Sequence, residues 1–382
     1  MIHSIVPPYL LEKIAQTDDD RMVRAAASAR RALLARDSVL DARTAASADS
    51  ASGAGSDTPR GQGVRGSSAT LDERRQGSSA AGAGGQEAAA PSPSRTIFDA
   101  HNTEQLPGNQ VRAEGSAPSS DLTVNEAYDG LGATFALYEE AFGRDSIDGR
   151  GLPLLATVHY GNDYDNAYWD GQRMVFGDGD GEIFGRFTAS VSVIGHELSH
   201  GVTQFTAGLE YQGQSGALNE SFSDVMGALV EQHQKKQTAG EATWLIGEGL
   251  FTAAVKGRAL RSMVSPGSAY DDDMLGKDPQ PADMAHYVET TDDNGGVHLN
   301  SGIPNRAFAL AAIEIGGFAW ETAGQVWYDT ITGRLAVDAD FAAFALATVA
   351  ASTTRFGSDS SETKAIRAGW VKVGVLEDGA AG

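Results

Sequence analysis

The sequence predicts an α+β fold of two lobes, a strand-rich one followed by a helical one, with a cleft between them. Two patterns carry this expectation. Across 150–188, short apolar runs at 154–160 and 174–176 alternate with Gly, Asn and Asp, as strands and turns do. After 188, apolar residues recur at helical spacing over 188–204, 217–236, 301–316, 320–332, 338–356 and 360–373. Size sets the limits: 382 residues, 41% of them hydrophobic, build one large or two ordinary domains.

Four stretches follow in order. Residues 1–43 hold a Pro-Pro turn and then a helix expected over about 10–36, rich in Ala and Arg and too small to fold alone. Residues 44–94 form a flexible linker. Of these 51 residues 37 are Ala, Gly, Ser, Thr or Pro and none is aromatic, so the stretch buries too little apolar surface to offset its ordering entropy. Composition alone favours a tail for 1–43. Residues 95–205 are the strand-rich lobe, with a helix over 122–143 that aligns Tyr128, Leu131, Phe135 and Tyr138. Residues 206–382 are the helical lobe, where Trp320, Ala323, Trp327 and Ile331 share one buried face. No internal repeat is present.

Charge and cysteine content exclude whole classes. Lys and Arg number 29 against 51 Asp and Glu, and residues 1–94 hold 11 of each sign, so the net charge of −22 lies entirely in 95–382. Phosphate and anionic lipid both need a basic surface, so neither nucleic acid nor membrane is an expected partner. Without cysteine there is no disulfide, thiolate metal site or thiol nucleophile, and any metal is held by His, Asp and Glu. The first twenty residues have no basic start and no long apolar run, which is not the pattern of an ordinary secretion signal.

The sharpest chemical signal is His196-Glu197-Leu198-Ser199-His200, inside the helix-compatible run 189–204. Residues four apart lie on one helix face, about 6 Å apart along the axis, so both imidazoles reach one zinc ion. Glu197 then stands beside the metal, where a carboxylate can activate water. A catalytic zinc takes three protein ligands. Glu220 is the candidate third, on a helix whose apolar face is Leu218, Phe222, Val225, Met226 and Leu229. A carboxylate at the buried edge of such a helix needs a partner, and zinc supplies one. Asp224, one turn on, suits the free N–H of a zinc histidine.

HELSH, then GALNESFSD, then DNGGVHLNSG resemble the thermolysin family of zinc endopeptidases, and the similarity runs from about residue 95 to the C-terminus. The resemblance implies a thermolysin-like zincin fold and the hydrolysis of peptide bonds in protein and peptide substrates. It implies His196, His200 and Glu220 as zinc ligands and Glu197 as general base. Asp224 falls on the aspartate behind a zinc histidine. His298 and Tyr211 fall on donors to the oxyanion, and Asp293 on the acid that orients His298. Asn166-Ala167 match the clamp on the substrate backbone, and Arg261 the arginine that holds a substrate carbonyl. Phe184, Phe187, Val193, Ile246 and Leu260 match the lining of the pocket after the cut, which implies a preference for a bulky apolar residue there. His101, His159, His233 and His286 match nothing and read as structural or surface residues.

Two departures matter. Glu231 and Glu248 match calcium ligands of the family, but Ser192 and Thr243 stand where acids are expected, which weakens a calcium site. Asp178-Gly179-Asp180-Gly181-Glu182 looks calcium-like, yet the twelfth loop position is Ala189, so a structural turn is the expectation. The N-terminus, His3-Ser4-Ile5-Val6-Pro7-Pro8-Tyr9-Leu10, resembles the short prosegment of the protealysin type. It implies that 1–43 docks on the enzyme as an intramolecular inhibitor, with His3 near the zinc, and is removed by cleavage. A monomer, secreted without an ordinary signal, is expected, with a cytoplasmic enzyme as runner-up. Two other classes remain: a zinc-binding interaction protein, which would need neither Glu197, His298 nor Tyr211, and a zinc hydrolase of non-peptide substrates, which would need neither Asn166 nor Arg261.

Overall fold

The structure, a computed structural model, describes residues 3–34 and 91–378, so all but the last four residues of the expected linker lie outside the described residues. The first lobe is built on strands β1 (His3–Ser4), β2 (Arg95–Asp99), β3 (Asn109–Ala113), β4 (Leu154–Val158), β5 (Ala167–Trp169) and β6 (Met174–Phe176). They form one sheet in the order β1-β5-β6-β4-β2-β3. β2, β4 and β6 run parallel in the centre, and β3, β5 and β1 pair antiparallel. Strands β2 and β3 have no marked apolar alternation, which is why the sequence pattern passes over them.

Strand β5 would be an open edge, and the far N-terminus closes it. His3 lies opposite Trp169 and Ser4 opposite Tyr168, so the backbone groups of the edge find partners. Beyond β1 come helix α1 (Pro8–Ala15), which begins with proline in its first turn, and helix α2 over 23–34. One helix over 10–36 is therefore not formed. Thr17 Oγ1 takes the amide of Asp19 at 3.4 Å and the Asp19 carbonyl takes that of Met22 at 2.8 Å. Such local bonds compete with helix and break the run. Arg30 then ties the two pieces together, donating to the Ala15 carbonyl at 2.6 and 3.0 Å.

Helix α3 (Leu122–Phe142) packs on the sheet through Val124, Ala127, Leu131 and Phe135. It starts at Asp121, whose carboxylate accepts from Thr123 N, and ends at Gly143 in the left-handed region. Helices α4 (Val191–Gln204) and α5 (Gly213–Lys235) carry the centre of the molecule. Their crossing is unusually close because two glycines meet. A Cβ on Gly227 would lie 2.3 Å from the Ser192 carbonyl, and one on Gly195 would lie 3.0 Å from Gly227 Cα.

Short ribbon strands β7 (Leu245–Ile246) and β8 (Arg261–Ser262) pair antiparallel, as do β9 (Asp271–Asp272) and β10 (Gly276–Lys277). Helix α6 (Asp293–Asn300) is short and irregular: Asn294, Gly295 and Gly296 all have positive φ. The stretch is a left-handed turn that runs into a right-handed one. Helices α7 (Gly302–Ile315), α8 (Ala323–Thr332), α9 (Phe341–Phe356) and α10 (Ser361–Lys372) complete the second lobe. Trp327 stacks on Trp370 with centroids 5.8 Å apart, and Phe308 and Phe344 close around them.

Candidate active site

The close α4–α5 crossing brings three side chains to one point. His196 Nε2 and His200 Nε2 lie 3.0 Å apart, and each lies 3.5 Å from a Glu220 carboxylate oxygen. All three residues are buried, with their ligand atoms within 4.8 Å of one another. Tetrahedral zinc with bonds of about 2.0–2.1 Å sets its ligand atoms roughly 3.3 Å apart, so this donor set fits the ion. Two further observations agree. Glu220 Oε2 and Glu197 Oε1 are buried without a hydrogen-bond partner, as a metal ligand and a water-activating base would be before metal and water are in place.

A fixed polar frame surrounds the cluster. His196 Nδ1 faces Asp224 at 2.7 Å, and His200 Nδ1 faces Asn219 at 2.8 Å and Ser223 at 3.1 Å. Both outer nitrogens are thereby engaged, which turns both Nε2 atoms towards the metal position. Asp224 also receives Arg261 through two bonds, of 2.8 and 2.9 Å, and Asn305 at 2.8 Å. Burial pushes the Asp224 carboxyl up, but Arg261 and His196 outweigh it and bring it down to about 2. Burial brings His200 down to about 3, which keeps the ring neutral, the form that ligates a metal. Burial would likewise push Glu220 up, yet His298, His200 and His196 hold it well below the usual carboxylate range. Glu197, whose Oε2 takes the Trp169 amide at 3.1 Å, is pushed well up by burial.

The left-handed turn of α6 delivers His298. Its Nδ1 faces Asp293 at 2.7 Å, its amide donates to the same carboxylate at 2.9 Å, and its Nε2 lies 3.3 Å from the Tyr211 hydroxyl. Tyr211 also donates to Glu220. The peptide of His298 is steadied by Gln280, which donates to its carbonyl at 2.8 Å.

The cleft is filled by the chain's own N-terminus. His298 Nε2 lies 3.1 Å from the Ser4 carbonyl oxygen. The Ile5 amide donates to the Ala167 carbonyl at 3.2 Å, and the Ile5 carbonyl accepts from Arg261 at 3.1 Å. The Val6 amide donates to Asn166 Oδ1 at 3.1 Å, and the Val6 carbonyl faces Asn166 Nδ2 at 3.4 Å. Ile5 and Val6 are fully buried, as are Phe184, Phe187, Val193 and Ile246, and Leu260 nearly so. The side chain of His3 lies outside the described residues.

The structure therefore brings every zinc, base and oxyanion candidate read from the sequence to one centre, and Asn166, Ala167 and Arg261 to one peptide. It separates Glu231 and Glu248 from that centre: Glu231 pairs with Lys235, and Glu248 lies 3.9 Å from Arg258. Sequence reasoning missed Asn219, Ser223, Asn305 and Gln280. Asn219 and Ser223 had a readable signal, because His200 needs an outer acceptor just as His196 does, and both flank Glu220. Asn305 and Gln280 come from distant segments and left none.

A buried His-His-Glu cluster with a neighbouring carboxylate, and a histidine that faces a peptide carbonyl, defines a metal-dependent peptidase. Residues 60–204 match the family model of the thermolysin metallopeptidase catalytic domain, and residues 207–375 that of the thermolysin metallopeptidase alpha-helical domain. The chain belongs to the thermolysin metallopeptidase family and is a zinc metalloendopeptidase of that type. It is 54% identical to the extracellular metalloprotease of Pectobacterium carotovorum subsp. carotovorum over 74% of this chain and 81% of that protein. It is 37% identical to thermolysin of Bacillus caldolyticus over 73% of this chain and 50% of that protein. Among solved structures it is similar to the precursor of protealysin, a metalloproteinase from Serratia proteamaculans. The TM-score is 0.81 at 46% identity, covering 98% of this chain and 100% of that one.

Proposed function

We propose that segment 1–43 is an inhibitory prosegment whose described part, 3–34, enters the cleft as a substrate does, and that the enzyme freed of it cuts before bulky apolar residues. The observation that supports this is the register of Ser4-Ile5-Val6. The Ala167 carbonyl and the Arg261 and Asn166 side chains hold the backbone of Ile5 and Val6, while the Ser4 carbonyl faces His298. In this reading Ser4–Ile5 occupies the place of the bond to be cut, and the fully buried Ile5 side chain reports an apolar pocket after it.

His196, His200 and Glu220 would hold the zinc, which supplies Lewis-acid polarisation of water and of the substrate carbonyl. The chain's own groups do the rest. Glu197 Oε1, the free oxygen of a carboxylate anchored through Oε2, takes a proton from the attacking water and passes it to the leaving nitrogen. His298 Nε2 and the Tyr211 hydroxyl donate to the carbonyl oxygen as it gains charge, and Asp293 holds the imidazole for that task. Asn166 and Arg261 fix the peptide so that its carbonyl meets these donors.

For calcium the residues fit poorly. Glu231 is paired with Lys235, and at the two positions where further carboxylates would be needed Ser192 bonds Ser190 at 3.0 Å and Thr243 lies 3.5 Å from Glu248. We read Lys235 as the charge that makes calcium unnecessary there. Secretion is the reading favoured by relatives named as extracellular.

The test compares the full chain with its Glu197→Ala variant. The parent trims itself and then hydrolyses casein in a chelator-sensitive way. The variant stays full length and loses about 10²–10⁴-fold in kcat. Normal trimming of the variant in host-free conditions refutes self-cleavage. Best cleavage of a peptide series before Asp or Lys removes the apolar preference.

A further inference from the structure

Outside the catalytic centre the molecule buries a second acidic pair. Asp165 and Asp180 are both fully buried, on the loops that follow β4 and β6. Asp180 Oδ1 is saturated: it accepts from the amides of Glu182, Ile183 and Phe184 at 2.5, 2.6 and 3.3 Å, which makes the Asp-Gly-Asp-Gly run a closed turn. Asp165 Oδ1 accepts from the Asp180 amide at 2.7 Å. The other two oxygens, Asp165 Oδ2 and Asp180 Oδ2, have no hydrogen-bond donor, although the two side chains face each other. Two buried carboxylates cannot both ionise in contact without a partner.

The lid over this pair is helix α2. Buried Ala25, Ser28 and Ala29 form its inner face. The Ser28 hydroxyl donates to the Asp163 carbonyl, beside the Asp165 carboxyl, and the Ala25 amide donates to Glu182 at 3.0 Å. The charged groups around the pair are spoken for. From α2, Arg24 pairs with Asp163 at 2.8 Å and Arg31 donates to the Asn162 carbonyl. From the loops, Glu182 holds the Ala25 amide, and Asp178 pairs with His159, which Asp121 flanks on its other side at 2.8 Å. No cation among the described residues touches Asp165 or Asp180.

We propose that Asp165 and Asp180 share one proton beneath helix α2, so that docking of the prosegment helix takes up a proton and loosens as pH rises. The proton sits on Asp165 Oδ2 and is donated to Asp180 Oδ2, which completes the hydrogen bonding of both side chains. Burial first, and the neighbouring Asp180 next, hold the Asp165 carboxyl well above the usual range while α2 is in place. Lifting α2 admits water and lets that value fall. Docking is then fully favoured below the undocked value and weakens as pH climbs from the undocked to the docked value, by up to tenfold per pH unit for one proton. His159, raised to about 9 chiefly by Asp178, stays charged across pH 5–8 and does not supply the slope. The inference rests on residues 3–34 being a releasable prosegment.

The experiment uses the full chain carrying Glu197→Ala, so that nothing is cut. Hydrogen exchange of the α2 amides, corrected for the intrinsic rate, is followed from pH 5 to 8. The opening constant is expected to rise with pH, approaching tenfold per unit. Asp165→Asn puts a permanent donor where the proton was and should flatten the line, as should Asp180→Asn, whose amide donates the other way. A flat line in the parent chain, or an unchanged slope in either folded variant, overturns the proposal. So does slowing of exchange by added calcium with no effect of pH, which would make the pair a cation site. An infrared absorption of a protonated carboxylic acid is expected in the docked chain at pH 6, and its absence overturns the proposal even where the variants misfold. Peptide hydrolysis plays no part in these readouts, so a lost slope leaves the inhibitory reading intact, and an inactive enzyme leaves the slope intact.

Discussion

The two halves of the N-terminal segment hold on to the same body by opposite means. The strap from β1 through α1 is apolar: Ile5, Val6, Leu10, Leu11 and Ile14 are at most 2% exposed, and its backbone is gripped by Ala167, Arg261 and Asn166. Helix α2 presents mostly alanine to its support, and its Val23 and Leu34 are 64% and 69% exposed. Its ties are an ion pair, an amide on a carboxylate and a hydroxyl on a main-chain carbonyl, above a buried acid pair. Apolar burial is insensitive to salt and to protonation, whereas ion pairs and shared protons respond to both. The strap is thus built to block and the helix to be adjusted.

The largest effect should come from the strap. Ile5→Ala and Leu10→Ala each remove a fully buried branched side chain, a change that costs about 2–5 kcal/mol in well-packed sites. Uncut chain carrying either change should hydrolyse a small peptide measurably before any trimming, and the two changes together should approach the rate of the trimmed enzyme. If both variants stay as silent as the parent, the strap is not the blocking element and the contrast between the halves collapses.

What could be read in advance follows the same division. The His196–His200 pair and the carboxylates of Glu220 and Asp224 were legible because an α-helix fixes their relation through local spacing alone. The long apolar faces of α3, α5 and α8 were legible for the same reason. The break between α1 and α2 was not, since helix-favouring Ala and Arg dominate the count while Thr17 and Asp19 decide the outcome by bonding their own backbone. Nor was the Asp165–Asp180 pair: fourteen residues and two strands lie between the partners, and no one-dimensional pattern encodes contact across loops. The Asp-Gly-Asp-Gly run was visible as a turn, but which of its acids is buried depends on what lies over it.

A smaller effect is expected in the loops that follow β4 and β6. His159 sits between Asp178 and Asp121 at 2.8 Å from each, and chiefly Asp178 raises it to about 9. A raised histidine contributes stability that is fully present below its ordinary value near 6.5 and is lost as pH rises through about 9. Between pH 6 and pH 9.5 the parent chain should therefore lose more Tm than His159→Gln, which has no proton to lose. Equal losses would mean that this clip carries no charge.

The smallest effect belongs to Arg24, whose side chain is 57% exposed where it meets Asp163. An exposed pair gains little in water and is screened by salt, with a Debye length of about 10 Å at 0.1 M. Arg24→Ala should leave the strap untouched and the uncut chain inactive. It should speed hydrogen exchange in α2 at low ionic strength and match the parent at high salt. A difference between the two that persists at 1 M salt would show that Arg24 acts through packing of its stem rather than its charge. The helix would then resemble the strap more closely than its exposed surface implies, and pH would be left as the one adjustable tie between α2 and the enzyme.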